Sequence, residues 1–87
     1  MTIRYSASFL KSVSLLPKHV QTRVSRQIEA FKKNHRYPSL RVHKLKGRLS
    51  DFYAFRVDSD YRILFEKLDG NIVLLHKIGS HDLYRIN

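Results

Sequence analysis

The sequence predicts an α+β fold of element order β-α-α-β-β-β, with a two-helix hairpin packed on one face of a small antiparallel-meander sheet. Three observations predict it. Apolar residues recur at helical spacing between Pro17 and about Asn34, the pattern switches to two-residue alternation from Asp51 onward, and Asp69-Gly70 separates two strand-like runs. Two helices followed by three strands give one layer of helices on one layer of sheet.

Each element has its own local reason. TIRYS at the start alternates and reads as a short strand that joins the sheet. Ser6 or Ser8 can cap a helix through FLKSVSLL, with Phe9, Val13 and Leu16 on one face. Pro17 punctuates and suits the first turn of a second helix, since the missing N–H is not needed there. In that helix Val20, Val24, Ile28 and Phe31 form one continuous stripe, and Arg23, Arg26, Lys32 and Lys33 lie on the other face. Residues 34–48 have no clean period, and Pro38, Ser39 and Gly47 mark them as loop. DFYAFRVD then alternates Tyr53, Phe55 and Val57 against Ala54 and Arg56. YRILFEKL follows a short Asp58-Ser59-Asp60 turn, and NIVLLHKI follows Asp69-Gly70, whose residues tolerate positive φ.

With 87 residues the chain is read as one domain, 1–87, with room for one modest core. It has no cysteine, which removes disulfides and thiolate metal sites. No signal peptide or membrane span is expected, and the cytoplasm is the expected location. Net charge is +10, and the first fifty residues hold twelve Lys/Arg against the single acid Glu29. Residues 32–48 hold seven Lys/Arg, two His and no acid. Such a field attracts polyanions: RNA, a ribosome, DNA or an acidic protein. A merely solvated basic surface is the competing reading.

The five histidines, at 19, 35, 43, 76 and 81, show no metal-ligand spacing, so neither a metal nor another cofactor is expected. No nucleophile elbow or phosphate-cradling glycine loop is present. A cation-rich site with imidazoles remains. Arg56 projects from the sheet face opposite Tyr53 and Phe55, either as an ion-pair partner of Asp60 or Glu66 or as a fork for phosphate. Arg62 on the next strand is similar. His43 precedes the sheet and His81 follows it, and imidazoles transfer protons near neutral pH. RNA cleavage needs one group to deprotonate the 2′-OH, one to protonate the leaving 5′-oxygen, and a cation for the charge on the phosphorane. Tyr84 can stack on a base, bond a phosphate or close the core. Lys44, Lys46 and Lys77 are phosphate-steering candidates or solvated, and His76 reads as structural. Asp82 has no evident role.

Three segments carry a resemblance in order and spacing: LKG at 45–47, FRVDSDYRILF at 55–65 and IGSHDLY at 78–84, behind the helical hairpin FLKSVSLLPKHVQTRVSRQIEAFKKN. Together they resemble the RelE/ParE superfamily of type II toxin–antitoxin toxins, most closely the RelE/YafQ mRNA interferases. The resemblance implies ribosome-dependent mRNA cleavage, with His81 and His43 as proton-transfer groups, Arg56 as the phosphate-side cation and Tyr84 as the terminal aromatic. It also implies a cognate antitoxin and operator DNA bound through the toxin–antitoxin pair. Arg56 stands where the YafQ-like pattern has His, Tyr61 where it has Trp, and His81 where RelE proper has Arg. Two rivals accompany this expectation: a ParE-like inhibitor of DNA gyrase without nuclease chemistry, and a degenerate toxin acting as an antitoxin-bound corepressor.

Overall fold

The computed structural model describes residues 1–80. Strand β1 (Thr2–Tyr5) leads into helices α1 (Ala7–Ser14) and α2 (Lys18–Lys33). Strands β2 (His43–Lys44), β3 (Phe52–Arg56), β4 (Arg62–Leu68) and β5 (Ile72–Gly79) follow. The strands form one sheet of order β1-β5-β4-β3-β2, in which β1 runs parallel to β5 and every other pair is antiparallel. The expected α+β architecture is therefore present, with one strand more than the sequence predicts. Two residues of β2 are too few for alternation to register, which is why that segment reads as loop.

Helix starts follow from local chemistry. Ser6 caps α1: its Oγ accepts the Phe9 N–H at 2.9 Å and donates to the His76 carbonyl at 2.8 Å, tying the helix to β5. Pro17 stands one residue earlier than expected, as the N-cap of α2, and its carbonyl accepts from Val20 and Gln21. The whole Val20, Val24, Ile28 and Phe31 stripe is buried. Phe31 stacks on Phe55 at 4.7 Å and meets Phe65 edge-on at 5.1 Å. These residues, with Phe9, Leu40, Ile63, Val73, Leu75 and Ile78, make the core between the helices and one sheet face. Gln27 adds a polar tie, its Nε2 donating to the Arg56 carbonyl at 2.7 Å.

The β4–β5 turn is where expected, but its left-handed residues are Gly70 (φ 76°) and Asn71 (φ 60°), one position later than Asp69-Gly70. A second irregularity has larger consequences. Pairing runs Leu64↔Lys77 and then Phe65↔Leu75, so His76 is an extra residue in β5, a β-bulge. Among the described residues no helix is long and apolar enough to cross a membrane.

Candidate functional site on the open sheet face

Paired residues in a sheet share a face, so the register sorts the strand side chains. Phe55, Phe65 and Leu75 face the helices. The opposite face, termed open because the core with α2 lies on the other side, carries three cross-strand rows, and at its centre Ala54 and Leu64 are themselves buried. The first is Arg56, Arg62 and Gly79; the second is His43, Ala54, Leu64 and Lys77; the third is Phe52, Glu66, Leu74 and Arg4. Of the expected site residues, His43, Arg56, Arg62 and Lys77 thus share one surface. Rows lie about 7 Å apart and strands about 4.8 Å apart. His43 is therefore a diagonal neighbour of Arg56, roughly 7–8 Å away, whereas Lys77 lies three strands across, roughly 14 Å away.

Lys77 reaches this face only through the bulge. Strict alternation would put it on the face of Leu75, inside the core; the extra residue His76 shifts it to the open side. Lys44 goes the other way. It pairs with Tyr53, whose ring stacks on Phe65 at 5.4 Å, so it stands on the helix side of the sheet edge. Lys46 is exposed just before the short turn Gly47–Leu49. His81 and Tyr84, like Asp82, lie outside the described residues.

His43 is exposed at the sheet edge, and its Nδ1 lies 2.9 Å from the Arg41 carbonyl. A carbonyl only accepts, so Nδ1 is the donor in this contact, and Nε2 has no partner among the described residues. Arg41 reaches this position in a left-handed backbone conformation, φ 47°, one that a non-glycine residue adopts at a cost of about 1–2 kcal/mol. The ring is thus held in a defined orientation by a strained neighbour.

Arg56 and Arg62 are direct cross-strand partners, both half-buried, a like-charge placement that disfavours the pair. Arg62 is drawn aside: its Nη1 donates to the Asp58 carbonyl at 2.7 Å and the Tyr61 carbonyl at 3.0 Å. The ion pairs expected for Arg56 are not formed among the described residues; Glu66 instead pairs with His76 at 3.0 Å.

Asp58 organises this end of the face, a role the sequence suggests only as part of a turn. Its Oδ1 accepts the N–H groups of Asp60 and Tyr61, each at 2.9 Å, and its Oδ2 meets Arg23 Nη1 of α2 at 3.0 Å. Burial pushes its pKa up, but the two backbone N–H bonds and the Arg23 guanidinium outweigh burial and hold the carboxyl below its ordinary value. The cluster of His76, Glu66 and Phe52 is the other feature that sequence alone does not assemble, because it depends on register. Among the described residues no three His, Cys, Asp or Glu side chains gather as a metal would need.

Comparison with known proteins follows this geometry. Residues 18–86 match the family model of the ParE-like toxin domain. No curated protein matches the chain. Among solved structures, the fold is similar to the YoeB/ParE toxin from Agrobacterium tumefaciens, with TM-score 0.76 and 13% identity over 93% of this chain and 99% of that one. It is similar to YafQ from E. coli strain BL21(DE3), with TM-score 0.74 and 19% identity over 95% and 97%. It is also similar to a chain of the RelB–RelE antitoxin–toxin complex from Methanococcus jannaschii, with TM-score 0.71 and 21% identity over 94% and 99%. At these identities the likeness is one of fold.

Proposed function

The chain belongs to the ParE-like toxin family, and from that premise we propose that it is the toxin of a toxin–antitoxin pair that cleaves messenger RNA on the ribosome, in the cytoplasm. The observation that carries this reading is the shared face of His43, Arg56 and Arg62, with His43 Nε2 unpartnered among the described residues. RNA laid on this face supplies its own nucleophile. The 2′-oxygen attacks the adjacent phosphorus, its proton passes to a neutral imidazole, and the 5′-oxygen departs with a proton from a second group. The products are a 2′,3′-cyclic phosphate and a 5′-hydroxyl.

In this reading His43 Nε2 takes the proton and His81 gives one. Arg56 meets the charge on the phosphorane, with Arg62 beside it. Lys77 and Lys46 draw in flanking phosphates, and Lys44, on the helix side of the sheet edge, adds only to the long-range field. Tyr84 stacks on a base or bonds a phosphate. The roles of His81 and Tyr84 rest on sequence resemblance alone. The antitoxin–toxin complex of the archaeal neighbour supports an antitoxin partner, and a net charge of +10 suits an acidic one. Operator DNA is bound only through that pair.

A second reading, a gyrase-inhibiting toxin without nuclease chemistry, is favoured by the ParE-like character of the family model. Brief induction in bacteria, with mRNA 5′ ends mapped for wild type, His43→Ala and His81→Ala, separates the two. New cuts in translated messages, reduced about 10²–10⁴-fold in either variant, support the nuclease. Growth arrest without cuts, equal in all three proteins, supports the gyrase reading, and absence of arrest supports a corepressor.

A further inference from the structure

We infer that the end of the sheet away from Arg56 holds a binding site for a small organic anion, a single apolar ring bearing a carboxylate. The site is a cleft of about 190 Å³ on the helix side, where the end of β4, the start of β5 and the loop after α2 meet. An apolar cavity of about 150 Å³ takes up benzene, and drug-sized sites run to ~300–1,000 Å³. The volume therefore suits one ring.

Beneath the cleft the core closes it off with Phe31, Phe65 and Val73, all buried. The surface that a ligand meets belongs to the half-buried Val42 and Ile72 and to Met1 and Leu68, which are 47% and 39% exposed. Two of the large apolar side chains that this fold leaves in water thus border one cleft, and a ring placed between them removes that surface from water. The frame is tied together: the Thr2 N–H donates to the Asn71 carbonyl at 3.0 Å, joining the start of β1 to the β4–β5 turn.

The mouth sets the charge. Lys67, His35 and Asn71 line it, and no acid does. Lys67 makes no ion pair among the described residues; its ammonium rests 4.4 Å from the centre of the Tyr53 ring. Such a contact is weak at an exposed site and leaves the ammonium N–H groups for an anion. Lys44 is the cross-strand partner of Tyr53, so a second ammonium stands on the same side of the sheet edge. A carboxylate at the mouth meets Lys67 and the Asn71 amide while its ring lies against Ile72 and Leu68.

This cleft is separate from the proposed cleavage row. It opens on the other side of the sheet, and β4 carries the chain roughly 20 Å from Arg62 to Leu68. Val42 connects the two: it walls the cleft, and it stands between the left-handed Arg41 and His43. An occupant therefore bears on the segment that carries the imidazole.

The test is a ¹⁵N NMR titration of the full chain, made by chemical synthesis, with label at Val42, at Leu68 and, as a distant control, at Leu15. The probes are phenylacetate, its neutral counterpart phenylacetamide, and acetate. Phenylacetate is expected to shift the Val42 and Leu68 amides and not that of Leu15. It is expected to bind about threefold to fivefold tighter than phenylacetamide, the span of a surface ion pair. Acetate lacks the ring and is expected to bind at least about tenfold more weakly than phenylacetate. Lys67→Gln should bring phenylacetate to the level of phenylacetamide, and Lys67→Arg should keep the preference. Ile72→Trp, which puts an indole into the cleft, should abolish binding of both. Equal binding of phenylacetate and phenylacetamide, acetate as tight as phenylacetate, unmoved Val42 and Leu68 amides, or a preference that survives Lys67→Gln overturns the inference. Lys67 is exposed, so Lys67→Gln decides the matter even where Ile72→Trp does not fold. Cuts in messenger RNA, present or absent, leave every one of these outcomes unchanged.

Discussion

Replacing Asp58 by Ala is expected to cost about 2 kcal/mol at neutral pH. The carboxylate accepts backbone N–H groups from Asp60 and Tyr61 and pairs with Arg23. A net hydrogen bond contributes about 0.5–1.5 kcal/mol. Asp60 is exposed, so its N–H can turn to water, while that of Tyr61 is half-buried and loses more. Arg23 is 52% exposed, which limits the ion pair to about 0.5 kcal/mol. Asp58→Asn keeps an oxygen for both N–H groups and loses only the pair, so about 0.5 kcal/mol is expected. At about 4–8 °C per kcal/mol for a domain of this size, Asp58→Ala lowers Tm by roughly 8–16 °C. The effect depends on pH with a definite sign. The carboxyl is held below its ordinary value in the folded protein, so its stabilisation is complete above the unfolded value near 4. It is lost as pH falls through the lower folded value. Urea titrations followed by far-UV circular dichroism, from neutral pH to the acid limit, measure both. A gap under about 0.5 kcal/mol at pH 7, or a gap that persists once the carboxyl is protonated, would refute the reasoning.

Three further outcomes are expected. Phe31→Ala removes the ring that stacks on Phe55 and meets Phe65, and should cost about 3–5 kcal/mol in the same urea titration. Gly70→Ala places a methyl at ordinary distance, 3.9 Å, from Ile72 Cδ1, so its cost comes from the left-handed backbone at φ 76°; about 1–2 kcal/mol is expected. Arg56→Ala should leave Tm nearly unchanged but flatten the salt dependence of single-stranded RNA binding, reducing the slope of log K against log salt by about 0.7 if it removes one phosphate contact.

Sequence and structure agree wherever a period runs long enough to read. The stripe of α2 spans Val20 to Phe31, and all four of its residues are buried. Alternation in β3 places Arg56 away from Phe55, and the helices do cover the Phe55 face. Legibility fails where one residue changes the phase. β2 has only two residues, yet it carries His43 onto the open face and Lys44 off it. The bulge at His76 breaks alternation inside an otherwise apolar run, and no local residue type announces it; Lys77 gains its place on the face from that break alone. The Glu66–His76 pair is ten residues apart across a turn, so it is invisible until the register is known.

The division of labour between the two faces explains why a basic surface is affordable on so small a body. Stability comes from the helix side, where aromatic rings from α2, β3 and β4 interlock. The open side spends some of it. Arg56 and Arg62 oppose each other, and Arg41 is left-handed beside His43. Asp58 mediates between the faces: its side chain is anchored from the helix side by Arg23, and its carbonyl holds Arg62 on the open side. Removing the charge of Arg56 relieves repulsion with Arg62, so it should not destabilise the fold, whereas removing the Asp58 carboxylate should destabilise the turn while leaving the main-chain carbonyls that hold Arg62. Open-face substitutions that leave stability intact while changing RNA binding are what this arrangement requires, and a uniform loss of stability across Arg56, Glu66 and Lys77 would contradict it.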